Sequence, residues 1–91
     1  MAAVLTKHTA IRLAPAHRLQ WENAQQAYVL LYPEGMVTLN ASASSILKCC
    51  DGKSLEDILG DLRHTYPGAN LEEDVREFLE TARSEGWICY E

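Results

Sequence analysis

Apolar residues change their spacing along this chain, and the changes mark out its elements. In "HRLQWE", His17, Leu19 and Trp21 alternate with Arg18, Gln20 and Glu22, the period of two expected of a half-buried strand. After the turn residues "NAQ", the stretch "QAYVLLY" is apolar at nearly every position, with Ala27, Val29 and Leu31 on one face and Tyr28, Leu30 and Tyr32 on the other. Apolarity on both faces suits a middle strand, which has neighbours on both edges. "PEG" supplies a turn, and "MVTL", Met36 to Leu39, predicts a short third strand. The three form an antiparallel meander.

From Asn40 the period lengthens. Asn40 is a helix cap by residue type, and Ala43, Ile46, Leu47 and Cys50 fall at i, i+3, i+4 and i+7, one stripe of a helix over Ala41–Asp51 that Gly52 stops. Ser54 and Asp57 form a capping-box pair for a second helix, with Leu55, Ile58, Leu59, Leu62 and Tyr66 as its stripe. Gly60 lies inside that helix, a place that allows close approach of another element. Pro67 and Gly68 end it. Asn70, with Glu73, is expected to cap a third helix, whose stripe is Leu71, Val75, Phe78, Leu79 and Ala82. Gly86 stops this helix, with Trp87 folding back on Ala82 in a Schellman ending. "WICY" is a short extended tail.

The pattern predicts an α+β domain, a three-stranded antiparallel meander followed by three helices gathered on one side. Residues 1–16 show no sustained period and read as an N-terminal arm with a short extended piece near Ile11 and Leu13; residues 17–91 form the single folded domain. The third strand is short and carries no internal lysine or proline. Such an edge can accept an extended peptide as a fourth strand.

Composition narrows the partners. The 91 residues are 47% hydrophobic, 23% charged and carry a formal charge of −5, with carboxylates concentrated in "LEDILGD" and "NLEEDVREFLE". A nucleic-acid reader needs a basic face to neutralise phosphates, so this balance suits a protein partner instead. No stretch resembles a signal peptide or a membrane span. Three cysteines without framework spacing point to a reducing cytoplasm.

Candidate chemistry is sparse. Cys49 and Cys50 are adjacent and diverge by about 100° on a helix, the wrong arrangement for zinc or a dithiol motif, so Cys50 reads as core filler. Cys49 and Cys89 are free thiols open to oxidation in air. "DGKS" holds only the last letters of a phosphate loop. Ser54, followed by Leu55, keeps open an acyl or peptidyl carrier modified at that serine. A DNA-binding winged helix is a further alternative, disfavoured by the acidic helices. His8, His17 and His64 share no helical spacing, and no catalytic constellation is legible. The reading is a non-enzyme without metal or cofactor.

"RLQWE", "YVLLYPEGMVTLN", "ILKCCDGKS" with "LEDIL", and "DVREFLETARSEGW", together spanning Arg18 to Trp87, resemble the family of coenzyme pyrroloquinoline quinone (PQQ) synthesis protein D. Cys49 departs from the aliphatic residue expected there. The resemblance implies a winged-helix-like peptide chaperone. Such a protein binds the ribosomal precursor peptide of PQQ and presents it to a radical S-adenosylmethionine enzyme that cross-links a glutamate and a tyrosine. It further implies that the peptide adds beside Met36, Val37, Thr38 and Leu39 and lies against Leu71, Asp74, Val75 and Phe78 of the third helix. Val75 and Phe78 are equally suited to the core. On this reading a proline at Val37 removes an edge amide donor and weakens peptide binding. The chain is a monomer, or a dimer formed by swapping its arm.

Overall fold

The computed structural model describes residues 4–91, so residues 1–3 of the expected arm lie outside the described residues. The elements are β1 (Ala10–Leu13), β2 (Arg18–Glu22), β3 (Ala27–Tyr32), β4 (Gly35–Thr38), α1 (Ala41–Lys48), β5 (Asp51–Ser54), α2 (Leu55–Thr65), α3 (Glu72–Ser84) and β6 (Ile88–Tyr90). β2, β3 and β4 form the expected antiparallel meander with β3 central. β3 is central because it is apolar on both faces: Val29 and Leu30 point in opposite directions and both are fully buried. Trp21 meets Tyr28 edge-on at 5.1 Å, and His17 stacks on Tyr32 at 5.5 Å, so His17 is a packed histidine.

A second sheet, in the order β5-β1-β6, was absent from the sequence pattern. Its centre is β1, so the expected arm is here an integral strand. Ile11 of β1 is fully buried. Upstream of the strand, Leu5 is buried too, and the Leu5 carbonyl accepts from Arg76 Nη1 at 3.1 Å. β5 corrects the expected helix end: α1 stops at Lys48, and "DGKS" is a strand paired to β1 through Ala10↔Ser54 and Ile11↔Lys53. Gly52 does adopt the positive φ expected of it, +100°, but at an irregularity of this strand pair. β6, the expected extended tail, pairs with the other edge of β1.

The helix signals mostly hold. Asn40 Oδ1 accepts from the Ala43 amide at 2.8 Å, and Ser54 Oγ from the Asp57 amide at 3.2 Å. Gly86, at φ +81°, closes α3 with Gly86 N–H donating to Arg83 O and Trp87 N–H to Ala82 O, at 3.0 and 2.9 Å, the two bonds of a Schellman ending. Asn70 does not cap. α3 begins at Glu72, the cap position is Leu71, and no side chain accepts there. Glu72, Glu73 and Asp74 fill the first turn instead, where negative charge opposes the positive helix end. Gly60 admits no neighbouring element either, since a Cβ there would meet nothing within 4 Å.

One core joins both sheets to the helices: Ile11, Leu30, Leu47, Leu55, Ile58, Leu79 and Ile88 belong to a single buried cluster. No helix among the described residues is long and apolar enough to cross a membrane.

Candidate functional site

β4 is an edge strand of the meander. Its register with β3 pairs Leu30 with Val37 and Val29 with Thr38, and the Leu39 amide continues the ladder by donating to Tyr28 O at 2.9 Å. Backbone groups alternate sides along a strand in an antiparallel pair, so Leu39, Val37 and Gly35 face β3, whereas Met36 and Thr38 direct their N–H and C=O groups to the open side. This corrects the expectation for Val37: its amide is an internal donor, and the edge donors are Met36 and Thr38. Side chains alternate as well. Val37 packs on the core and Leu39 is buried, while Met36 is 52% exposed. Thr38 is exposed and donates its hydroxyl to Gln25 Oε1 at 3.0 Å.

On α3 Val75 is buried, Phe78 is half-buried and Asp74 is exposed, and Leu71 at the cap position is half-buried. Leu71, Asp74 and Val75 border a depression of about 150 Å³ with Ser42, Ser45 and Ile46 of α1 and Leu62 and Tyr66 following along α2. Tyr66 is held at its wall by a 3.0 Å hydrogen bond between its hydroxyl and Ser45 Oγ. Phe78 and Asp74 line a second hollow with Glu77 and Thr81. A third, bounded by Trp21, Tyr28, Leu39, Ala41 and Ser44 among others, shares Ser45 with the first. The four predicted α3 residues therefore lie along one track of two adjoining hollows. Met36, Val37 and Thr38 line none of the three.

Ser42, Ser45 and Tyr66 were missed by sequence reasoning. The signal for Ser42 and Ser45 was the run "ASASS", whose small side chains leave room over the start of α1, while Tyr66 falls by periodicity on the apolar stripe of the second helix. The outward direction of the Met36 and Thr38 amides had no sequence signal, because it follows from the register with β3.

The cysteines have packing roles. Cys49 and Cys50 thiols donate to the Ser45 and Ile46 carbonyls, each at 3.4 Å, one helical turn back. Burial pushes the Cys50 thiol up to about 12, with Cys49 and Asp51 adding to the shift. Burial raises Cys49 as well, followed by Asp61. Neither thiol is poised as a thiolate, the form that reacts or binds metal. Among the described residues no group of three or more His, Cys, Asp or Glu could hold a metal ion. Lys53 is paired to Asp61 Oδ2 at 2.7 Å, and the strand bonds of β5 occupy the backbone a phosphate loop would need. Ser54 stands at a strand–helix junction of an α+β fold with its hydroxyl engaged as a cap, not in the four-helix bundle a carrier serine requires.

An open strand edge and a largely apolar hollow beside a helix are the equipment of a peptide-recognition module. Residues 27–88 match the family described as Coenzyme PQQ synthesis protein D (PqqD), and the chain belongs to that family. It is 49% identical over 85 residues to the PqqA binding protein of Methylococcus capsulatus, covering 92% of this chain and 91% of that protein. Against the PqqA binding protein of Acinetobacter baylyi it is 50% identical over 84 residues, covering 90% and 85%. Its fold is similar to the solution structure of the PqqD truncation of Methylobacterium extorquens PqqCD. That protein is described as a functional, stand-alone recognition element for ribosomally synthesised and post-translationally modified peptides. The TM-score is 0.77 at 25% identity, over 94% of this chain and 95% of that one.

Proposed function

We propose that this chain is a peptide chaperone of PQQ biosynthesis, which binds a PqqA precursor peptide and presents it to the radical S-adenosylmethionine enzyme that cross-links it. The observation that carries this reading is the unpaired outer side of β4, where the Met36 and Thr38 backbone groups face away from β3. Membership of the PqqD family and the PqqA binding relatives support it. The peptide adds as a strand at β4, and its apolar side chains settle against Leu71, Val75 and Phe78 of α3. Backbone pairing sets the register and the apolar contacts supply most of the affinity.

The chaperone itself performs no chemistry. Its contribution is positioning, because a tethered peptide meets the enzyme at a high effective concentration. It acts in the cytoplasm, where three free thiols persist. The test is a titration of isotope-labelled protein with PqqA peptide, followed by amide shifts. Saturable shifts concentrated at Gly35–Leu39 and Leu71–Phe78 are expected. Tight binding with shifts confined to the second sheet would overturn the β4 placement, and no binding with or without the radical enzyme would overturn the chaperone reading.

A further inference from the structure

The two hollows along α3 have one residue in common, and it is a carboxylate. Leu71 and Val75 flank Asp74 in the first, Phe78 and Thr81 in the second. Asp74 is exposed, and among the described residues the ion pairs are Arg12–Glu91, Lys53–Asp61 and Arg76–Glu72, so none involves it.

Arg76, Arg83 and Lys48 have other partners, whereas Arg63 in the last turn of α2 is in none of these ion pairs. Arg76 Nε donates to Glu72 at 3.1 Å and its Nη1 donates to the Leu5 carbonyl. Arg83 lies over the Tyr90 ring at 4.7 Å, and Lys48 over the Tyr28 ring at 4.6 Å. The track therefore has the apolar Leu71 and Val75 at one end and Phe78 beside Thr81 at the other, with a carboxylate in no ion pair between them and Glu77 adding negative charge at the second hollow.

That arrangement restricts what can lie there. A wholly apolar segment covers Asp74 without giving it a partner, and desolvating an unpaired charge is costly. An acidic segment is repelled. A lysine or arginine with an apolar side chain on either side satisfies the carboxylate and fills both hollows.

We infer that Asp74 is a specificity-determining residue, which reads one basic residue of the bound peptide set between two apolar ones. The inference rests on the peptide-binding reading and adds the sequence class that the α3 track selects. A purely structural role for Asp74 at the start of α3 is the competing account. Glu72 and Glu73 share that turn, so neutralising Asp74 leaves the helix start negatively charged.

The test is fluorescence anisotropy with a labelled PqqA peptide at two salt concentrations. The chains are the wild type, Asp74→Asn, Asp74→Glu and Asp74→Lys, with melting curves for each. The peptides are the wild type and variants in which each Lys or Arg is changed in turn to Glu. Asp74→Lys is expected to weaken binding about tenfold, Asp74→Asn to weaken it less and flatten the salt dependence, and Asp74→Glu to bind nearly as the wild type does. One Glu-substituted peptide should bind the wild type poorly and recover on Asp74→Lys, a rescue that a structural role cannot produce. Unchanged affinity and salt dependence in Asp74→Asn, or no rescue by any peptide, would overturn the inference while wild-type binding left the chaperone reading standing. Failure of the wild type to bind the unaltered peptide would overturn both.

Discussion

Gly52 shows how one residue can be bound by two constraints at once. Its φ of +100° is a conformation L side chains rarely adopt, and a Cβ there would come within 2.6 Å of Arg12 Nη2. Arg12 crosses over this position from β1 and pairs with Glu91 beyond β6. Gly52→Ala should therefore lower stability by about 1–2 kcal/mol from backbone strain, with a further loss from displacing Arg12, measured by urea unfolding. Cys50 gives a second residue-scale prediction. Its thiol titrates at about 12 in the fold, against an ordinary 9.0, because burial penalises the thiolate. Below pH 9 the thiol is protonated whether the chain is folded or not, so it adds no pH dependence. Between about 9 and 12 the unfolded chain gives up its proton first, and stability falls by up to about 1.4 kcal/mol per pH unit. Tyr90, raised to about 12 by burial and then by Glu80, acts in the same direction from its ordinary 10.0. Thermal melts from about pH 8 to about pH 11 should show a declining Tm, and Cys50→Val should make the decline shallower. At this scale the sequence was legible wherever a side chain acts on its own neighbourhood, as with the Asn40 and Ser54 caps and the Gly86 stop. It misled at Asn70 because the helix start depends on where the preceding turn releases the chain.

At the scale of elements, β4 separates two substitutions that look alike in sequence. Proline lacks an amide proton, so its effect depends on the direction of the amide it replaces. The Val37 amide faces β3 and the Thr38 amide faces out. Val37→Pro is expected to break the β3–β4 ladder and lower Tm markedly. Thr38→Pro is expected to leave the fold largely intact and weaken PqqA peptide binding by roughly the worth of one hydrogen bond, about 0.5–1.5 kcal/mol. Comparing Tm with peptide affinity for the two variants checks this; a Thr38→Pro chain that stays folded and binds as well as the wild type would remove strand addition from the account. The proposed site was half legible. The strand edge at Met36 to Leu39 and the apolar face of α3 follow from edge exposure and helical periodicity, and their joint use for a peptide from the family resemblance alone. The division of Leu71, Asp74, Val75 and Phe78 between core and track does not, because a helical stripe is the same whether its border faces another helix or a hollow. In the fold, Val75 is buried yet still borders the first hollow, and Asp74 is exposed.

Across the whole molecule, the second sheet ties the two ends of the chain to its middle. β1 bonds to β5 on one edge and to β6 on the other, with Ile11 opposite both Lys53 and Tyr90, and Ile11 is fully buried in the common core. Ile11→Ala should cost about 2–5 kcal/mol. Removing residues 1–13 should cost more, since it leaves β5 and β6 without their shared partner; a denaturant midpoint equal to that of the full chain would show that the second sheet contributes nothing. Sequence by itself determined the meander, the three helices and most of their caps, because these depend on periodicities and contacts within a few residues. It determined the acidic balance too. Tertiary structure alone decided the second sheet, whose strands are only three or four residues long and acquire meaning when distant segments meet. It also decided which amides of β4 face outward and where the hollows beside α3 lie, since both depend on how one element is set against another.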